Sequence, residues 1–210
     1  MKKTVFQAVT TAFLAVAPGI VVPCPAAAQA SGTSTAVYPG RYPFTDADVQ
    51  FVSGMISHHA QAIVMAKWAP THDANASVRI LCERIINAQT DEITLMQRWL
   101  KDRHQPVPEA KPGPMKMMMN GVEHEMLMPG MLSDDQMKRL DAAKGADFDR
   151  LFLTFMIQHH RGAITMVDQL FATTGAGQDD AVFKMANDIQ ADQSTEINRM
   201  LQMLFTIPGE

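Results

Sequence analysis

Two stretches of this chain repeat each other about a hundred residues apart. Residues 51–65 read FVSGMISHHAQAIVM, and residues 152–166 read FLTFMIQHHRGAITM. The segments that follow them match as well. Val78, Ile85, Gln89, Glu92, Ile93, Met96 and Leu100 are answered by Val182, Ile189, Gln193, Glu196, Ile197, Met200 and Leu204. A fold with two equivalent halves is therefore required. Within the first half Val49, Val52, Met55, Ile56, His59, Ala62, Ile63 and Ala66 recur at the three-and-four spacing of an amphipathic helix. Thr45 with Asp48 three residues on opens that helix as a capping box, and Pro70 stops it near Trp68. A second helix is expected from Asn75–Ser77 to Arg103, a third over 147–171 and a fourth over 179–204. A duplicated helical hairpin predicts an all-α protein, an antiparallel four-helix bundle with a long crossover between its halves.

The crossover is an unrepeated insert, residues 104–132, between repeat 1 (45–103) and repeat 2 (147–205). It is rich in Pro and Lys, then reads MKMMMNGVEHEMLMPGM from Met115. It has no clean period and is expected to be a loop, with at most one helical turn or a short hairpin. A short helix, 133–144, follows, capped by Ser133 and ended by Gly145.

The N-terminus reads as an export signal, residues 1–30. Lys2 and Lys3 precede an apolar run, and Ala26-Ala27-Ala28-Gln29-Ala30 offers small residues for cleavage. Pro18, Gly19 and Pro23 break the run, which makes it a poor membrane span, so no stable membrane insertion is expected after cleavage. Residues 31–44 form a flexible leader, and 45–205 a single domain in the periplasm or otherwise outside the cytoplasm. Loss of Lys2 and Lys3 takes the net charge from −4 to −6. With no basic patch, nucleic acid is not an expected partner. Cys24 leaves with the signal, and Cys82 alone allows no internal disulfide, CxxC pair or haem attachment.

Methionine carries the chemistry. There are 17 in 210 residues, eight of them between Met115 and Met137 around His124. Met117, Met118, Met119, Met126, Met128 and Met131, with Met115 and His124, are expected in polar, exposed chain, where a methionine has little packing reason to be. Clustered thioethers suit Cu(I) or Ag(I), not Mg²⁺ or Ca²⁺; a Met-rich surface for a protein partner is the alternative. In the repeats, Met55 with His58 and His59, and Met156 with His159 and His160, offer thioether and imidazole to the same class of ion. Adjacent histidines point about 100° apart on a helix, so one of each pair is expected to face inward and the other a helix seam. The competing reading makes His59 and His160 buried donors to Glu92 and Glu196, locking each hairpin. Gln89 and Gln193 share the face of those acids. Met65, Met96, Met166 and Met200 read as core filling.

Di-iron chemistry would need four inward carboxylates and histidines in ExxH spacing. Only Glu92 and Glu196 are expected inward, and neither has that spacing. No Ser-His-Asp set, phosphate-binding loop or zincin motif occurs, and no enzymatic activity is expected.

The pattern D-x-x-F-x-x-x-M-I-x-H-H-x-x-A-x-x-M followed by Q-x-x-E-I-x-x-M resembles the DUF305 family. It occurs at Asp48, Phe51, Met55, Ile56, His58, His59, Ala62, Met65, Gln89, Glu92, Ile93 and Met96. It occurs again at Asp149, Phe152, Met156, Ile157, His159, His160, Ala163, Met166, Gln193, Glu196, Ile197 and Met200. The MPGM segment at Met128–Met131 is similar to that family too. The resemblance implies a ferritin-like four-helix bundle, usually exported, with some members similar to periplasmic copper-binding proteins of copper resistance. The copies depart from each other where Gln61 faces Gly162 and Ser57 faces Gln158. The expectation is an exported, non-enzymatic protein that sequesters or carries copper, as Cu(I) or Cu(II), or silver. A structural or interaction module with a buried His–Glu network is the alternative. A copper redox enzyme is a weaker third, lacking any sign of an open coordination position.

Overall fold

A computed structural model describes residues 43–119 and 122–206. The expected signal peptide (1–30) and most of the expected leader (31–44) lie outside the described residues. Four long helices dominate: α1 (Asp46–Lys67), α2 (Ala76–Asp102), α4 (Gly145–Ala172) and α5 (Asp180–Thr206), with the short α3 (Asp134–Ala142) before α4. The protein is helical, as the duplication requires. α1 packs on α2 and α4 on α5, and the two hairpins meet through α1 and α4.

Local chemistry sets the boundaries. Thr45 and Asp48 form the expected capping box. Ser133 and Gln136 form another at α3, and Asp179 Oδ1 accepts from the amides of Ala181 and Val182 at the start of α5. Gly145 corrects the sequence reading. It does not end α3, whose C-cap is Ala143; it is the first residue of α4, at φ 56°.

The repeated aspartates tie the halves together. Asp48 accepts at 2.7 Å from the amide of Gly177, in the loop before α5. Asp149 accepts at 3.1 Å from the amide of Asn75, the N-cap of α2. Each half thus holds the turn that launches the other half's second helix.

The insert forms an antiparallel ribbon, β1 (Met115–Met119) with β2 (Val122–Met126). Met115 pairs with Met126, and Met117 with His124, so by strand alternation these register positions share one face of the ribbon.

Buried apolar residues fall into two clusters, and every long helix passes from one to the other. α1 goes from Met55 and Ile56 to Ala62 and Met65; α2 from Ile85 to Ile93; α4 from Ile157 to Ala163; α5 from Ile189 to Ile197. The crossing points are His58 and His59, Gln89, His159 and His160, and Gln193, all of them buried. A transverse polar layer therefore divides the apolar interior.

Candidate metal centre

All four repeated histidines are fully buried, and they divide by partner. His58 and His159 face each other across the α1–α4 contact, ring centroids 3.8 Å apart. His59 and His160 turn to their own hairpins, with Nε2 2.8 Å from Glu92 Oε2 and 2.7 Å from Glu196 Oε2. The His160 contact is an aligned hydrogen bond; the His59 contact lies off the ring N–H direction. The expected choice between inward and seam positions resolves as two kinds of seam, between hairpins for His58 and His159 and within hairpins for His59 and His160. Glu92 and Glu196 sit at the margin, their side chains 18% and 13% exposed. Asp192 joins them: burial and the charges of Glu92, Glu196 and Asp188 push its carboxyl up. It stands outside the repeated motif, which is why the sequence reading missed it.

His58 Nε2 lies 3.0 Å from the carbonyl of Pro129. A carbonyl only accepts, so Nε2 carries the proton and Nδ1 the lone pair. Burial, with nearby His59 and His160, holds His58 down at about 3 against the Pro129 bond. Burial likewise lowers His159, well below the ordinary range, and His160, although Glu196 opposes the latter. These three imidazoles are neutral at pH 7, the state a metal requires.

Buried polar atoms concentrate here. Among the described residues, every side-chain nitrogen or oxygen that is buried without a hydrogen bond, Arg103 Nε excepted, belongs to His58, His59, Gln89, His159, His160 or Gln193. Each unpartnered group costs about 1–3 kcal/mol, so polar capacity is being held at one level of the bundle. His58 and His160 each have Nε2 anchored and Nδ1 unpartnered. That is the pattern of imidazoles whose second nitrogen is oriented from outside the coordination shell. Among the described residues no three His, Cys, Asp or Glu side chains close into a set that could hold an ion. A set built on these imidazoles would need methionine sulfur. Met55 and Met156, both fully buried, stand one helical turn before His59 and His160. Cys82 is buried as well, and burial pushes its thiol up to about 12.

Met128 and Met131 correct the sequence reading. They are not exposed: each is 5% accessible, within the core. Their turn is clamped onto the α1–α4 seam. Gln61 binds Leu132 from both ends of its amide, at 3.0 and 2.7 Å; Gln158 donates to the Gly130 carbonyl at 3.2 Å; His58 holds Pro129. A Cβ on Gly162 would lie 1.9 Å from Pro129 O. The departures between the copies, Gln61, Gln158 and Gly162, are thus the seat of the unrepeated insert. Met126 is half exposed. The side chains of Met117, Met118, Met119 and His124 are not among those the structure describes. Met65, Met96, Met166 and Met200 are buried, as core filling requires.

A pH dependence follows for the metal-free protein. His58 titrates near 6.5 unfolded and about 3 folded, so between those values the unfolded chain binds the extra proton. Stability is then complete above pH 6.5 and falls as pH drops toward 3. From His58 alone, urea unfolding at pH 5 should give a free energy about 2 kcal/mol below that at pH 7. Equal values at the two pH values would mean that the buried rings are not neutral.

The model of the domain of unknown function DUF305 matches residues 48–204. The crystal structure of a DUF305 protein from Streptomyces coelicolor aligns at 27% identity and TM-score 0.65, over 78% of this chain and 97% of its own. CopM in its Cu(II)-bound form aligns at 29% identity and TM-score 0.58, over 76% of this chain and 96% of its own; CopM is also known in Cu(I)-bound and Ag-bound forms. Uncharacterized protein L153 of Acanthamoeba polyphaga mimivirus is 38% identical over 56 residues, 27% of this chain. The chain spans only 37% of the length of that relative.

Proposed function

The chain belongs to the DUF305 family, and from that premise we infer that it is an exported, non-catalytic protein that sequesters or carries copper, or silver, through methionine and histidine side chains. One observation carries the reading: neutral buried imidazoles, anchored through one nitrogen and unpartnered at the other, lie a helical turn from buried methionines. That donor set favours a soft or borderline ion. Metal-bound CopM, a structural neighbour aligned over nearly all of its own chain, supports it. The Lys2–Lys3 start, broken apolar run and Ala-rich cleavage region support export. No described helix is long and apolar enough to cross a membrane.

The insert contributes thioethers from Met115 to Met131, and the polar layer supplies imidazole. Metal-free mature protein titrated anaerobically with Cu(I) against a competing chelator should take up copper from the chelator. Failure to compete overturns the reading.

The His59–Glu92 and His160–Glu196 contacts favour a second reading, in which the polar layer is a structural lock with its spare nitrogens bridged by internal water. It predicts the same melting temperature with and without Cu(I). Metal carried by the native state alone must raise it.

A further inference from the structure

A cavity of about 420 Å³ opens beside the docked turn, between α1, α4 and the segment leaving β2. Three methionines from separate positions wall it: Met126 at the end of β2, Met128 in the turn and Met166 on α4. The rest of the wall is apolar or uncharged, including Phe51, Leu170, Gln50 and Gln169, with no carboxylate, amine, guanidinium or imidazole. A hard divalent cation finds no carboxylate in such a wall, whereas its three thioethers suit a soft monovalent ion.

The three sulfur side chains are graded in exposure. Met126 is 49% accessible, and Met166 and Met128 are 6% and 5%. Met126 is thus the solvent-facing methionine of the wall, and Met128 and Met166 are its buried ones. Met166 has a repeat counterpart in Met65, which is fully buried in the other apolar cluster. The repeat is thus broken where the insert brings two further methionines to one copy. Met128 is followed by Pro129, whose carbonyl anchors His58, so the cavity adjoins the histidine layer through one peptide unit.

We propose that this cavity is a discrete thioether site for one Cu(I) or Ag(I) ion, with Met126, Met128 and Met166 as its ligands. The proposal rests on the metal-binding reading and adds to it a named site of entry, with Met166 as a ligand rather than filler. Cargo binds there as the monovalent ion, without electron transfer, and the half-exposed Met126 admits it.

The test uses full mature protein labelled with ¹³C at the methionine methyls, titrated with Ag(I). Single Met→Leu variants, which conserve volume, assign the three resonances. Over the same equivalent of Ag(I), the methyls of Met126, Met128 and Met166 should shift together. The triple variant Met126→Leu, Met128→Leu, Met166→Leu should bind one equivalent less, with an unchanged circular dichroism spectrum. If wild type takes up Ag(I) while these three methyls stay still, or if the folded triple variant keeps full stoichiometry, this site is wrong and the broader reading stands. If wild type binds neither Ag(I) nor Cu(I), both fall.

Discussion

Replacing Gly162 with alanine is expected to lower the unfolding free energy by about 3 kcal/mol, the upper end of overpacking penalties. The added Cβ would sit 1.9 Å from the Pro129 carbonyl oxygen, 2.4 Å from its carbon and 2.5 Å from Gly130 Cα. All three are backbone atoms, and none can rotate away as a side-chain end does. Either the 129–130 turn lifts from α4 or the α1–α4 seam opens. The turn is held by His58, Gln61 and Gln158, so lifting it also breaks hydrogen bonds inside the polar layer. For a domain of this size the loss corresponds to a fall of roughly 10 °C in melting temperature. Gly113→Ala is the control, since nothing lies within 4 Å of its Cβ position, and it should melt like wild type. A Gly162→Ala protein that also melts like wild type would show that the turn does not pack on α4 as described.

The second large effect is expected at Asp179. Its carboxylate pairs with Arg103, accepts from Trp99 Nε1 at 3.0 Å and caps α5. Both members of the ion pair are buried, and the guanidinium also stacks 4.4 Å over the Trp99 ring. Burial alone would raise the Asp179 carboxyl, but bonds from Trp99 and Arg103 outweigh it and hold the group below its ordinary value. Asp179→Ala leaves a buried cation without its partner, which costs about 3–5 kcal/mol. Replacing Arg103 and Asp179 together by leucine should cost clearly less than Asp179→Ala, because no uncompensated charge remains. Equal losses in chemical denaturation would place the energy in the helix cap rather than in the ion pair.

The duplication made the helices legible, and with them the faces that carry His59, Glu92, His160 and Glu196, because both depend on spacing along a single helix. Thr45 and Asp48 carried the start of α1, and Gln89 with Glu92 carried the face that α2 turns to His59. How the insert docks was harder to read. Met128 and Met131 look exposed beside Lys116, Glu123 and Glu125, and burial of a turn depends on a partner elsewhere in the chain. The signal was present as broken symmetry. Gln61, Gln158 and Gly162 differ from their repeat counterparts, and in the structure all three hold the turn. The division of four histidines between two kinds of seam depends on how the hairpins cross, which helical periodicity does not encode. Asp179 and Arg103 have no matched pair in the repeat, so comparing the copies could not find them.

The same physical features support two roles for the polar layer, cargo binding and locking the hairpins, and the identity of the atoms around copper separates them. X-ray absorption at the copper K edge of the Cu(I)-loaded mature protein reads those atoms directly. A first shell containing sulfur is expected, with imidazole nitrogen appearing once the thioether sites are filled. A first shell of oxygen alone, or copper that washes from the protein before the spectrum is taken, would contradict it.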